Sequence, residues 1–68
     1  MNDKKLKAAI DQFLKNVNFK AQREIEKVVR NAVASGKLKG DETVTAGVTL
    51  SSEMLDLNLT IYSKIELG

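Results

Sequence analysis

The sequence predicts an α+β domain with element order α-α-β-β, an αα-hairpin packed on one face of an antiparallel β-hairpin. Three observations predict it. Apolar residues recur at helical spacing in two stretches before Gly36, they alternate with polar ones in two stretches after Asp41, and a glycine-lysine segment, Gly36 to Gly40, separates the two regimes. The longest alternating run, Leu55 to Leu67, organises the rest, because its leucines need both a partner strand and a cover.

Residues 3–16 carry Leu6, Ala9, Ile10, Phe13 and Leu14, with Val17 just beyond, an i, i+3, i+4, i+7, i+8 series that draws one apolar stripe on a helix. Asn2 or Asp3 suits the N-cap, since a short side-chain oxygen can accept from a free backbone N–H of the first turn. Lys7, Asp11 and Lys15 lie opposite the stripe at i, i+4 spacing. Asn16 and Asn18 tolerate a left-handed turn, so the first helix is predicted to stop there.

The second helix is predicted from about Ala21 to Ser35, with Ile25, Val28, Val29, Ala32 and Val33 on its stripe. Gly36 takes the positive φ of a residue just past a helix end at little cost, and Lys37 and Lys39 suit the negative end of the helix dipole. The start has no good capping side chain among Phe19, Lys20 and Ala21. With so short a connection the helices form an antiparallel hairpin, and Phe19 in that connection plugs the end of the core.

From Glu42 to Leu50 the alternation puts Val44, Ala46, Val48 and Leu50 on one face. In the final run Leu55, Leu57, Leu59, Ile61, Ile65 and Leu67 share a face, and only Ser63 interrupts them. If Ser51 to Met54 form the loop, Leu50 meets Leu55, Val48 meets Leu57, Ala46 meets Leu59 and Val44 meets Ile61. Lys64 to Leu67 then run past the start of the first strand, leaving Ile65 and Leu67 partly uncovered. Gly47, on the wet face, marks a bulge or a close approach.

One domain, residues 1–68, is all this length allows, and a chain so small buries only ~60% of its unfolded surface. Cysteine and histidine are both absent, which removes disulfides, thiolate and imidazole ligands and fits a reducing compartment, so no metal or cofactor is predicted and oligomerisation is the stabiliser left. No apolar run approaches the ~20 residues of a membrane span, and the acidic Asp3 and Asp11 argue against a transit peptide. Charge is divided unevenly. Residues 1–40 hold ten Lys/Arg against four Asp/Glu, net +6, and residues 41–68 hold one lysine against five acids, net −4. Mutual attraction between the two halves or two subunits explains this, as does a basic surface for an anionic partner.

Over Gln22-Arg23-Glu24-Ile25-Glu26-Lys27 and Ala34-Ser35-Gly36-Lys37-Leu38-Lys39-Gly40 the chain resembles a family of small bacterial proteins of unknown function. The resemblance implies a bacterial cytoplasmic protein of two helices and a strand pair, and it brings no activity. The family favours hydroxyl residues where this chain has Lys20 and Ala21. Ala32 to Asp41 is also similar to the end of the first helix in bacterial winged-helix regulators, but those continue into further helices, so the likeness is read as a shared helix stop.

Chemistry is sparse. Ser51 and Ser52 have no histidine to accept a proton and read as loop residues. Glu53 and Asp56 stand in no pattern that points to an acid–base pocket and read as residues that keep the hairpin end soluble. Gly36 and Gly40 close a helix where a phosphate cradle would open one, Asp41-Glu42 does not continue into a calcium loop, and Asn58-Leu59-Thr60 has no secretion signal to make it a glycosylation site. An enzyme is therefore not predicted.

The strongest surface feature is a basic row, Lys20, Arg23, Lys27 and Arg30, continued by Lys37 and Lys39. It lies opposite the stripe of the second helix, flanked by Glu24 and Glu26, with no aromatic among its members to stack a base. The leading expectation is a non-enzymatic protein-interaction module that forms a homodimer through its strand edges, with Ile65 and Leu67 at the contact. Nucleic-acid binding along the basic row is the alternative.

Overall fold

The computed structural model describes residues 1–68 and shows one helix followed by two strands: α1, Asp3–Ala34; β1, Thr43–Ser52; β2, Leu57–Glu66. The order is α-β-β. The α+β class stands, but no αα-hairpin exists. The chain divides into two compact units, Met1–Lys37 and Leu38–Gly68.

In the first unit, the expected break around Asn16 to Ala21 is absent, and α1 runs unbroken for 32 residues, about 48 Å at ~1.5 Å per residue. The physical reason is a comparison of small and large costs. An asparagine inside a helix loses at most about 0.7 kcal/mol relative to alanine, whereas each new helix end exposes four unpaired backbone groups. No side chain among Phe19, Lys20 and Ala21 would cap such an end, and no glycine or proline falls between Asp3 and Ala34 to force one. The stripe also crosses the expected break in phase, through Leu14, Val17, Ala21 and Ile25.

Both true ends of α1 were legible. Asn2 is the N-cap: its Oδ1 accepts from the Lys4 N–H at 3.0 Å and the Lys5 N–H at 3.2 Å. At the other end the Ser35 N–H donates to the Asn31 carbonyl at 3.0 Å, the Gly36 N–H to the Val33 carbonyl at 3.1 Å, and Gly36 adopts φ 82°.

In the second unit, β1 and β2 pair antiparallel, with Val44 opposite Ile65, Val48 opposite Ile61, Leu50 opposite Leu59 and Ser52 opposite Leu57. The expected register is thus wrong by four residues. The turn is Glu53 to Asp56, closed by the Asp56 N–H donating to the Glu53 carbonyl at 3.1 Å, and Asp56 sits at φ 51°. Ser51 to Met54 contains no residue suited to that left-handed conformation, whereas an aspartate tolerates it. Because the slip is even, every side chain keeps its predicted face.

Candidate functional site

Along α1 the apolar stripe is open to water. Leu6 is 41% exposed, Ile10 46%, Phe13 55% and Val28 52%, while Val17, Ala21, Ile25, Val29 and Ala32 are half-buried. The stripe is therefore one continuous surface rather than the inner faces of two packed helices.

The hairpin presents two different faces. Val44, Ala46, Val48 and Leu50 lie beside Ile65, Ser63, Ile61 and Leu59 on the apolar side, where Val48, Leu59 and Ile61 remain 44%, 48% and 51% exposed. On the polar side Thr49 and Thr60 share a hydroxyl hydrogen bond of 3.0 Å across the strands. Gly47 pairs with Tyr62, and a Cβ at position 47 would stand 2.8 Å from the tyrosine ring. The close approach anticipated at this glycine is made by an aromatic side chain, with no bulge in the ladder. Ile65 and Leu67 do not overhang: Ile65 pairs with Val44, the Leu67 N–H donates to the Glu42 carbonyl at 2.9 Å, and both side chains are half-buried. Self-association at these two residues therefore has no unpaired overhang to use.

Glu42 forms a feature that sequence reasoning missed. Its carboxylate accepts from the backbone N–H groups of Lys39 at 2.8 Å, Gly40 at 2.9 Å and Asp41 at 3.1 Å. These donors, the Lys39 amide foremost, hold the Glu42 carboxyl below the usual carboxylate range. The arrangement resembles an anion nest filled by the chain's own side chain. Gly40 at φ 101° turns the amides inward, and Gly40-Asp41-Glu42 is the only local signal for it in the sequence.

The basic row is real and exposed. Lys20, Arg23, Lys27 and Arg30 all lie on α1, and Lys20, Arg23 and Lys27 line a shallow hollow with Glu24. Lys37 follows the helix end, and Lys39, in the second unit, is exposed with its backbone N–H held by Glu42. One expectation about this row is corrected. Phe19 is not a core plug but a helical residue, 63% exposed, with the Arg23 guanidinium 5.7 Å from its ring centroid. An aromatic does lie among the basic side chains.

The profile of a family of unknown function, DUF6494, matches residues 1–68. The chain belongs to that family. Membership bears out the resemblance drawn from the Gln22 to Gly40 region, and the family's function is unknown. No curated protein and no solved structure matches the chain.

This DUF6494 chain carries apolar surface on each unit, a basic helix face on the first and one internally satisfied carboxylate in the second. No group of three or more acidic, histidine or cysteine side chains is gathered as a metal site. No helix is long and apolar enough to cross a membrane. Ser51, Ser52, Glu53 and Asp56 do gather at the hairpin turn, lining an open depression with Leu57 and Asn58 and with no lysine or arginine in its lining.

Proposed function

We propose that this protein is a non-enzymatic interaction module that self-associates as a homodimer and acts in the bacterial cytoplasm. One observation carries the reading: no side chain in either unit is buried, while Phe13, Val28 and Ile61 are each more than half exposed. Apolar area left in water forgoes about 25 cal/mol per Å², and contiguous apolar faces of this kind are what protein partners cover. A second copy is the partner always at hand, and shared burial is the stabiliser open to a chain this short. The family resemblance supports the bacterial and cytoplasmic parts of the reading.

Sedimentation at tens of micromolar tests it, with a species of about 15 kDa expected, twice the 7.5 kDa chain. A monomer throughout that range overturns the reading.

A nucleic-acid contact along Lys20, Arg23, Lys27 and Arg30 is the second reading, favoured by the exposed Phe19 under Arg23. Titration with single-stranded oligonucleotides near physiological salt separates the two. Binding tighter than ~1 µM that Phe19→Ala weakens and rising salt abolishes would promote it, since non-specific binding is typically weaker than that.

A further inference from the structure

Because α1 is unbroken, one line of apolar residues within its stripe can be followed from end to end: Leu6, Ile10, Phe13, Val17, then Ala21, Ile25, Val28, Ala32. The steps between them are 4, 3, 4, 4, 4, 3 and 4 residues, which read the same in either direction. The line is symmetric about position 19.

We infer that two α1 helices pair antiparallel along this line, about a two-fold axis at the level of residue 19, forming the seam of the homodimer. The inference rests on the self-association reading and specifies its surface. Antiparallel pairing sets Val17 against the partner's Ala21 and Phe13 against the partner's Ile25. Further out, Ile10 meets the partner's Val28 and Leu6 the partner's Ala32.

Each alanine thereby faces a larger residue, so no layer stacks two alanines or two phenylalanines, and Phe13 with Ile25 is the bulkiest layer. A parallel, in-register pair would instead stack Ala21 on Ala21 and Phe13 on Phe13, leaving a gap at one layer and a bulge at another. An antiparallel pair also opposes the helix dipoles, which a parallel pair aligns. The mean step, 26 residues over seven steps or ~3.7 per turn, is close to the ~3.67 of an 11-residue repeat. The seam thus stays on one side of a nearly straight helix.

Its size is sufficient. From Leu6 to Ala32 the line is ~39 Å long at ~1.5 Å per residue, and a helix is ~10 Å across, so the projected face is roughly 400 Å² per copy. Accessible surface exceeds projected area on a ridged face, which brings the pair to the ~1,000 Å² lower bound of specific interfaces. At ~100° per residue Arg23 and Arg30 lie with Phe19 on the far side of the helix, so the seam buries neither guanidinium.

The chain has no cysteine, so single cysteines report the geometry cleanly. Leu6→Cys and Ala32→Cys chains are prepared separately, each checked for unchanged helix content by circular dichroism, then mixed and oxidised gently. The mixed 6–32 disulfide should dominate, and Leu6→Cys alone should fail to cross-link, because its two copies sit at opposite ends of the seam. A dimer by sedimentation that forms the Leu6–Leu6 homodisulfide, or no disulfide at all, overturns the antiparallel seam and leaves self-association standing. A monomer overturns both.

Discussion

Tyr62 sets the Cδ1–Cε1 side of its ring against Gly47 across the hairpin, so close that a Cβ at position 47 would come within 2.8 Å of it. The ring covers backbone that a glycine leaves bare, and only the observed register brings the two together. In the register predicted from apolar matching, Gly47 would face Asn58.

Tyr62→Ala should therefore cost ~0.2–1 kcal/mol, the range of a cross-strand pair. The signature is spectroscopic as well: the Gly47 Hα resonances should be shifted by the ring current in the natural protein and should return to ordinary values in the variant. Unshifted Gly47 resonances in the natural protein would contradict the pairing.

Asp56 at φ 51° makes an opposite pair of predictions. Asp56→Gly should be neutral or stabilising, because glycine enters the left-handed region freely, and Asp56→Ala should lose about 1 kcal/mol for a side chain that does not. Urea melts of both read the difference. A loss with glycine would place Asp56 in a strand and restore the turn at Ser51 to Met54.

Asn18 distinguishes one helix from two. In the middle of α1, Asn18→Ala should raise stability by ~0.5 kcal/mol through helix propensity, with more helical circular dichroism. At the end of a shorter helix the same change would remove a residue tolerant of a left-handed turn and lower stability instead.

Glu42 links the Lys39 to Asp41 loop to pH. Its folded carboxyl titrates below its unfolded value, so its contribution to stability is present above the ordinary carboxylate range and is lost as pH falls through the lowered folded value. By NMR its side-chain carboxyl should show a midpoint below the ordinary carboxylate range, and Glu42→Gln should speed hydrogen exchange at the Lys39 and Gly40 amides. A Glu42 midpoint in the ordinary range would refute the nest.

The basic row was legible from spacing, because residues three and four apart share a helix face whether one helix or two carry them. Its aromatic neighbour was not. Phe19 falls in the connection that two helices would need, and only the continuity of α1 places it one helical turn before Arg23. Glu42 was illegible for another reason: three converging N–H groups depend on the φ of Gly40, which no side-chain pattern reports.

By itself the sequence determined which faces of the strands are apolar, that a helix starts just after a cap at Asn2 or Asp3 and stops just before Gly36, and that cysteine and histidine chemistry is closed to the chain. These follow from local chemistry: period, caps and donor inventory. The structure decided the continuity of α1 and the pairing of Val44 with Ile65 instead of Ile61. Alternation repeats every two residues and so accepts any even register equally, and the left-handed residue at the turn chooses among them. Likewise two asparagines weaken a helix only slightly, and the cost of leaving two new ends uncapped outweighs them.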